Sequence, residues 1–256
     1  MSPSGIDVLL EHPRFLVVNK PSGLLSIPDR EGAEPSLRDF LTSRHGKVFT
    51  VHRLDRETSG IILFARDEAA HKFFSSKFEN REIRKWYRGF VHGVPDPRSG
   101  PGGPGGPTGS LDGPIMENPS RKGQMMIHRK GKPSRTDYTV LQSFGLISYL
   151  EFEIHTGRTH QIRVHSAGMG HPILCDPLYG DGKPILLSSI KLKFKLSRKE
   201  GEEHPILRRL ALHAWKLAFD TPEGEYLEVE APLPKDLKAL LQQLQKWKGA
   251  SPGAGG

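Results

Sequence analysis

The stretch Val51 to Arg66, VHRLDRETSGIILFAR, constrains this chain more than any other. Its apolar run Ile61 to Ala65 is too short for a helix and is bounded by Thr58, Ser59 and Gly60, so it reads as a buried strand. Directly before it stand His52, Arg53, Asp55 and Arg56. Charges are costly to bury unpaired, so the fold must bring this cluster to the mouth of the strand. Two readings fit. One is an ion-paired surface turn. The other is a carboxylate, Asp55, kept ionised by a guanidinium that also fixes its direction. Such an aspartate can act as a nucleophile or as an electrostatic stabiliser of a developing cation.

The rest of the chain predicts mostly strands. IDVLLEHPRFLVVNKP reads as two short strands around His12-Pro13, closed by Pro21-Ser22-Gly23. KWYRGFVHG, RTDYTVLQSF, ISYLEFEIH, RRLALHAWKLAFDTP and EYLEVEAPL read as further strands. Helices are predicted for Ser36 to Arg44 with a capping serine, for DEAAHKFFSSKF with acids at its start, for RTHQIRVHSAGMG, and for Lys235 to Lys246 with four leucines on one face. There is no internal repeat and no βαβ alternation. Many strands with few helices argue for an α+β fold on a mixed, largely antiparallel sheet. One domain is expected over residues 1–248, with a Pro/Gly-rich surface loop at 95–109 and a disordered tail at 249–256.

Composition narrows the chemistry. The chain has 256 residues and carries 37 basic against 29 acidic side chains, a net charge of +8, which suggests a polyanionic partner. Cys175 is the one cysteine, so no intrachain disulfide and no thiolate metal cluster is possible. Residues MSPSGIDVLLEHP carry no signal-peptide pattern, and no window has the apolar length of a membrane span, so a cytoplasmic protein is expected. There is no phosphate-loop or dinucleotide glycine motif and no nucleophile elbow. Histidines cluster between His155 and His171, but His160 and His165 are five residues apart and would diverge on a helix, so no metal site is expected.

What remains is a set of polar clusters at strand ends: HRLDRETSG with Asp55, TGRTHQIRVH with Arg158 and Arg163, and KWYRGF with Tyr87. An aromatic side chain can stack on a nucleobase, because every base offers a π-face. Each cluster taken singly also fits a structural role.

Together these segments resemble the RluA-like RNA pseudouridine synthases, over a span from roughly Asp7 to the C-terminal helix. VVNKPSGLLSIP is similar to the family's first motif, HRLDRETSGIILFAR to its catalytic motif, and TGRTHQIRVHSAGMGHPILCDPLYG to its third. GSLDGPI and GKPSRTDYTVL are similar to intervening patterns. The resemblance implies an isomerase that breaks the N-glycosidic bond of a uridine, turns the uracil, and joins its C5 to the sugar. It implies no cofactor and no metal.

By position, the resemblance makes Asp55 the catalytic aspartate, Arg158 the arginine that pairs with it, and Tyr87 the ring that stacks on the uracil and assists removal of the C5 proton. It leaves open whether Asp55 attacks the sugar, adds to the base, or supports loss of the C2′ proton. Ile162 is implied to pack on the base. Lys20 is expected to shape a turn and to touch RNA phosphate. Arg53 and Arg56 are read as phosphate contacts, as a filler for the space left by a flipped base, or as plain surface charge. His52 and Arg163 complete the RNA-contacting set. Family members frequently carry an N-terminal S4 module, and here the motifs begin within the first twenty-odd residues. RNA contact is therefore expected from the catalytic domain, including the basic stretches SRKGQMMIHRKGKPSR and KLKFKLSRK. The expected substrate is a stem-loop of transfer or ribosomal RNA, with no obligate protein partner. A non-catalytic RNA-binding or chaperone protein of the same fold is the alternative, and an enzyme of free nucleosides a weaker one that the basic charge disfavours.

Overall fold

The computed structural model describes residues 6–29, 32–95, 108–191 and 203–247. The chain runs β1 (Asp7–Glu11), β2 (Phe15–Lys20), α1 (Leu37–His45), β3 (Phe49–Thr50), β4 (Ser59–Ala65) and α2 (Glu68–Glu79). Next come β5 (Arg84–His92), β6 (Thr108–Asp112), β7 (Ile115–Glu117), β8 (Met125–Ile127), β9 (Arg135–Ser143) and β10 (Ile147–Ile154). The chain ends with α3 (Gln161–Gly168), β11 (Leu212–Asp220), β12 (Tyr226–Glu230) and α4 (Lys235–Trp247). Ten strands form one sheet in the order β1-β2-β4-β11-β5-β10-β9-β6, with β12 on β11 and β3 on β4. The fold is α+β, as the strand-rich pattern predicts.

β4 explains its own sequence. Ile61, Leu63 and Ala65 pack into one core with Ala70 and Phe74 of α2, while Ile62 and Phe64 pack into another with Leu37 and Leu41 of α1. A strand covered on both faces needs an unbroken apolar run, not alternation. Truncating Leu63 or Phe64 to alanine would cost about 2–5 kcal/mol. The flanking helices are capped as their sequences suggest. Ser36 and Asp39 form a reciprocal capping box on α1, and Asp67 accepts from the Ala70 N–H at the start of α2.

One register decides where a site can form. Every pairing in the large sheet is antiparallel except that of β4 with β11, where Ser59 faces His213 and Gly60 faces Ala214. Gly60 has φ of 117°, and a Cβ there would lie 2.1 Å from the Ala214 carbonyl oxygen. Only glycine permits this approach. Ala214 in turn faces Tyr87 on β5. The residues just before β4 are thereby carried to the side of β5, across a single intervening strand.

Several boundaries differ from the sequence reading. Strand β6 begins at Thr108, so the Pro/Gly-rich segment ends earlier than expected; its residues 96–107 lie outside the described ones. β5 and β6 join the same sheet on either side of it. The segment before Leu212 is not strand, because the Ala211 backbone N–H donates to Leu174 O and its carbonyl accepts from the Phe90 N–H, in bonds outside the ladder. The basic stretch 120–135 contains β8 of a small β7–β8 hairpin, which periodicity over three residues cannot reveal. The tail 249–256 and all of KLKFKLSRK but Lys191 lie outside the described residues.

Candidate active site

Asp55 lies in the loop that leads into β4, and its neighbours are pinned by the loop after β2. Lys20 Nζ donates to the carbonyls of Pro21, Leu24 and Arg56 at 3.0, 2.7 and 2.9 Å. Ser22 Oγ donates to Glu57 O at 2.6 Å, and Ser26 Oγ both donates to Leu54 O and accepts its N–H. Each such bond contributes about 1 kcal/mol net, and together they leave the Asp55 loop little freedom. Lys20 is 0% exposed. Burial pulls its pKa down to about 7, while three carbonyls match the three protons of an ammonium. The turn-shaping role stands, but the expected phosphate contact does not: a lysine committed to three carbonyls and closed to solvent cannot reach RNA.

Other members of the cluster also have structural partners. His52 Nε2 accepts the Leu63 N–H at 2.9 Å, and its ring stacks on Phe78 at 4.4 Å. Desolvation, with Lys85 nearby, pushes its pKa down to about 3, so it is a neutral acceptor that closes β4 and not an RNA-binding cation. Arg56 forks onto Glu34 at 3.2 and 2.8 Å and donates Nε to Gly23 O. Its charge is committed to the first loop. Arg53 alone in this stretch is exposed with no hydrogen-bond or ion-pair partner among the described residues, and it lines the cleft.

That cleft, of about 190 Å³, brings Asp55, Tyr87, Arg158, Ile162 and Arg163 together. Its apolar floor is Leu54, Ile154, Ile162 and Leu212. The Asp55 side chain is 23% exposed. The ion pair expected with Arg158 is not formed. Arg163 Nη1 lies 3.9 Å from Asp55 Oδ2, whereas the Arg158 guanidinium turns to the Pro133 carbonyl. The reason is the start of α3. Gln161 Oε1 accepts from Thr156 Oγ1 and from the Arg158 N–H, and its Nε2 donates to Arg135 O and Thr136 Oγ1. This four-bonded amide folds the 156–160 turn so that Arg158 lies at the rim and Arg163, within the helix, faces inward.

Arg163 is itself held. Its Nε and Nη2 each donate to Asp176 at 2.7 Å, with Arg163 4% and Asp176 0% exposed. Asp176 also accepts the N–H groups of Leu178 and Tyr179. A bidentate guanidinium–carboxylate pair fixes orientation, which leaves Nη1 for Asp55. Assigning Arg163 to RNA contact is thus corrected to a buried partner of the aspartate.

His160 supplies a second neighbour, with Nε2 also 3.9 Å from Asp55 Oδ2. It adopts φ of 55° just before α3, and Nδ1 lies 2.8 Å from Tyr179 Oη. Tyr179 Oη accepts the Met125 N–H at 2.7 Å. Its hydroxyl proton is then available to His160 Nδ1, which places the imidazole proton on Nε2, toward Asp55. Desolvation lowers the His160 pKa, favouring this neutral ring. Tyr87 is raised well above its usual value by burial and by the Asp55 charge, so it is held as a neutral phenol. No three His, Cys, Asp or Glu side chains converge as metal ligands among the described residues.

Asp176 and Tyr179 were not singled out in the sequence, and His160 was weighed only as a metal ligand. Asp176 and Tyr179 lie in HPILCDPLYG, the end of the third motif, which was legible as a motif but carried no role.

A sequence model described as RNA pseudouridylate synthase matches residues 14–168, from β2 to the end of α3, which is more than half of the chain. The chain belongs to the RNA pseudouridylate synthase family. Members are isomerases of uridine in RNA. The synthase is 33% identical to the uncharacterized RNA pseudouridine synthase YlyB of Bacillus subtilis, over 95% of this chain and 74% of that protein. It is 31% identical to ribosomal large subunit pseudouridine synthase D of Nitrosomonas europaea, over 94% of this chain but only 65% of that protein. Among solved structures it matches human RNA pseudouridylate synthase domain containing 4 with a TM-score of 0.69 and 29% identity, over 93% and 92% of the two chains. No helix among the described residues of the synthase is long and apolar enough to cross a membrane.

Proposed function

We propose that this synthase acts in the cytoplasm on a uridine of a structured ribosomal or transfer RNA, with Asp55 as the catalytic carboxylate. The observation that carries this reading is the isolation of Asp55. It sits in the cleft between Arg163 and a neutral histidine, each 3.9 Å away, beside a buried tyrosine, and its carboxylate makes no hydrogen bond among the described residues. Names of relatives such as the Nitrosomonas protein favour ribosomal RNA.

The uracil cannot turn while stacked in a helix, so the target nucleotide is flipped into the cleft. Loops and bulges are cheapest to open, which favours a stem-loop substrate. Tyr87 offers its ring as a stacking surface, and Ile162 with Leu54 and Leu212 gives an apolar bed. Arg163 and the His160 Nε2–H orient and stabilise the Asp55 charge through bond cleavage at C1′. When the new bond to C5 forms, the C5 proton leaves and N1 gains one, so the product is an isomer and no co-reactant is consumed. A neutral Tyr87 serves this step by contact and hydrogen bonding, since its phenolate is not populated at neutral pH.

Pseudouridine mapping of total RNA from cells with and without the gene tests the reading, with Asp55→Asn as the complementing variant. The expected result is one or a few sites lost without the gene and not restored by Asp55→Asn, while the variant still binds RNA. Full restoration by Asp55→Asn would overturn the role of Asp55. An unchanged map would favour a non-catalytic RNA-binding protein.

A further inference from the structure

A groove of about 400 Å³ adjoins the catalytic cleft and shares Arg53, Tyr87 and Arg158 with it. At its side stands Lys85, two residues before Tyr87 on β5 and therefore on the same face of the sheet. Lys85 is 9% exposed. Its ammonium makes no hydrogen bond and meets no carboxylate within 4 Å among the described residues, and it is not fully buried but reaches the groove surface. Its contact is the Phe78 ring, 5.7 Å from Nζ to the centroid. The remaining charges on the groove are Arg53, Arg81 and Arg158, against a single carboxylate, Glu79, which forms no ion pair.

Every other mostly buried cation near the site is matched. Lys20 has three carbonyls and Arg163 has Asp176. A mostly buried cation whose ammonium opens only onto a groove lined by three arginines is poorly solvated and is best matched by an anion that arrives from outside. We propose that Lys85, with Arg81, Arg53 and Arg158 around the same groove, is a binding site for a backbone phosphodiester of the RNA strand next to the flipped nucleotide. This assignment rests on the reading of RNA as the substrate. Geometry supports a phosphodiester: the groove opens from the cleft that would hold the base, and a backbone phosphate necessarily follows that base within one nucleotide. Electrostatics agree, because burial and the nearby Arg81 pull the Lys85 pKa down to about 8, and a bound phosphate would restore the charge.

The test uses fluorescence anisotropy of labelled oligouridylate binding to the full chain across a series of KCl concentrations. Lys85→Met should weaken binding and lower the slope of log affinity against log salt by about 0.7, the value for one phosphate contact on a single strand. Lys85→Arg should keep the slope. Lys85→Met should not lower Tm, because it removes a buried unpaired charge and keeps the apolar stem on Phe78. An unchanged slope in Lys85→Met overturns the proposal, whatever the Tm. Competition by inorganic phosphate beyond that of chloride at equal ionic strength would also overturn it, in favour of a free-anion site. Failure of the catalytic reading is separable: absence of pseudouridine with a reduced Lys85→Met slope leaves the phosphate site intact, while pseudouridine formation with an unchanged slope removes it.

Discussion

The Asp55 cleft and the groove beside it present two walls that differ in how their cationic groups are matched. On the α3 wall of the cleft Arg163 is forked onto Asp176, His160 is bonded to Tyr179, and Gln161 makes four hydrogen bonds. On the groove wall Arg53, Arg81 and Lys85 have no ion-pair partner among the described residues, and Arg158 donates to a carbonyl. A matched wall is rigid before substrate arrives and can aim charge at a reacting atom. An unmatched cationic wall is completed by the substrate, and its energy appears as affinity. Under the proposed function, the contrast assigns chemistry to the first wall and RNA binding to the second.

The largest effect should come from breaking the matched wall. Asp176→Asn leaves Arg163 buried without its counter-charge, and removal of one partner of such a pair costs about 3–5 kcal/mol. A urea titration should show that loss, with turnover falling far more than RNA binding. If RNA binding fell as much as turnover, the division between the walls would be wrong.

Below the Asp55 loop the matched network continues. Arg209 forks onto Asp236 of α4 and donates to Ser59 Oγ, which lies 2.9 Å from His213 Nδ1. Burial pushes the His213 pKa down to about 4. An unfolded histidine titrates near 6.5, so between these values the unfolded chain binds more protons than the folded one. Stability is therefore intact above about pH 6.5 and falls as pH drops toward 4, by at most about 3 kcal/mol from this group. Unfolding free energies at several pH values should show a shallower acid slope in His213→Gln than in the parent. Equal slopes would remove His213 as the cause.

A smaller effect is expected from Tyr179→Phe. It removes the hydroxyl that sets the His160 tautomer, a loss of about 1 kcal/mol, or roughly fivefold to tenfold in single-turnover rate. The pH profile should shift as His160 becomes free to protonate, because the groups around it are Asp55, Asp176, Arg163 and Arg53, and two of these are carboxylates. Oligouridylate affinity should not change. A rate equal to the parent's would reduce Tyr179 to a packing role.

Least should follow from Arg56→Gln, which breaks an exposed fork on Glu34. Exposed ion pairs contribute about 0–1 kcal/mol, so Tm should move by a few degrees at most, with the salt slope of RNA binding unchanged. A reduced slope would place Arg56 on the RNA-holding wall after all.

The residue pattern alone determined the α+β class, the four helices with the capping serine of the first, the buried strand β4, and the three segments that meet at the cleft. These follow from local periods, capping chemistry and motif order, all written in consecutive residues. Tertiary structure decided which arginine faces the aspartate, because TGRTHQIR offers Arg158 and Arg163 on equal terms and a single buried amide, Gln161, sets their directions. It showed that Lys20, His52 and Arg56 each have a partner within the protein, since a basic residue reads the same whether its partner is a carbonyl, a carboxylate or a phosphate. It also separated Lys20 from Lys85, two buried lysines of which one is matched and one is open. Charge is legible in one dimension; whether that charge is already paired depends on contacts tens of residues apart, which only the folded chain brings together.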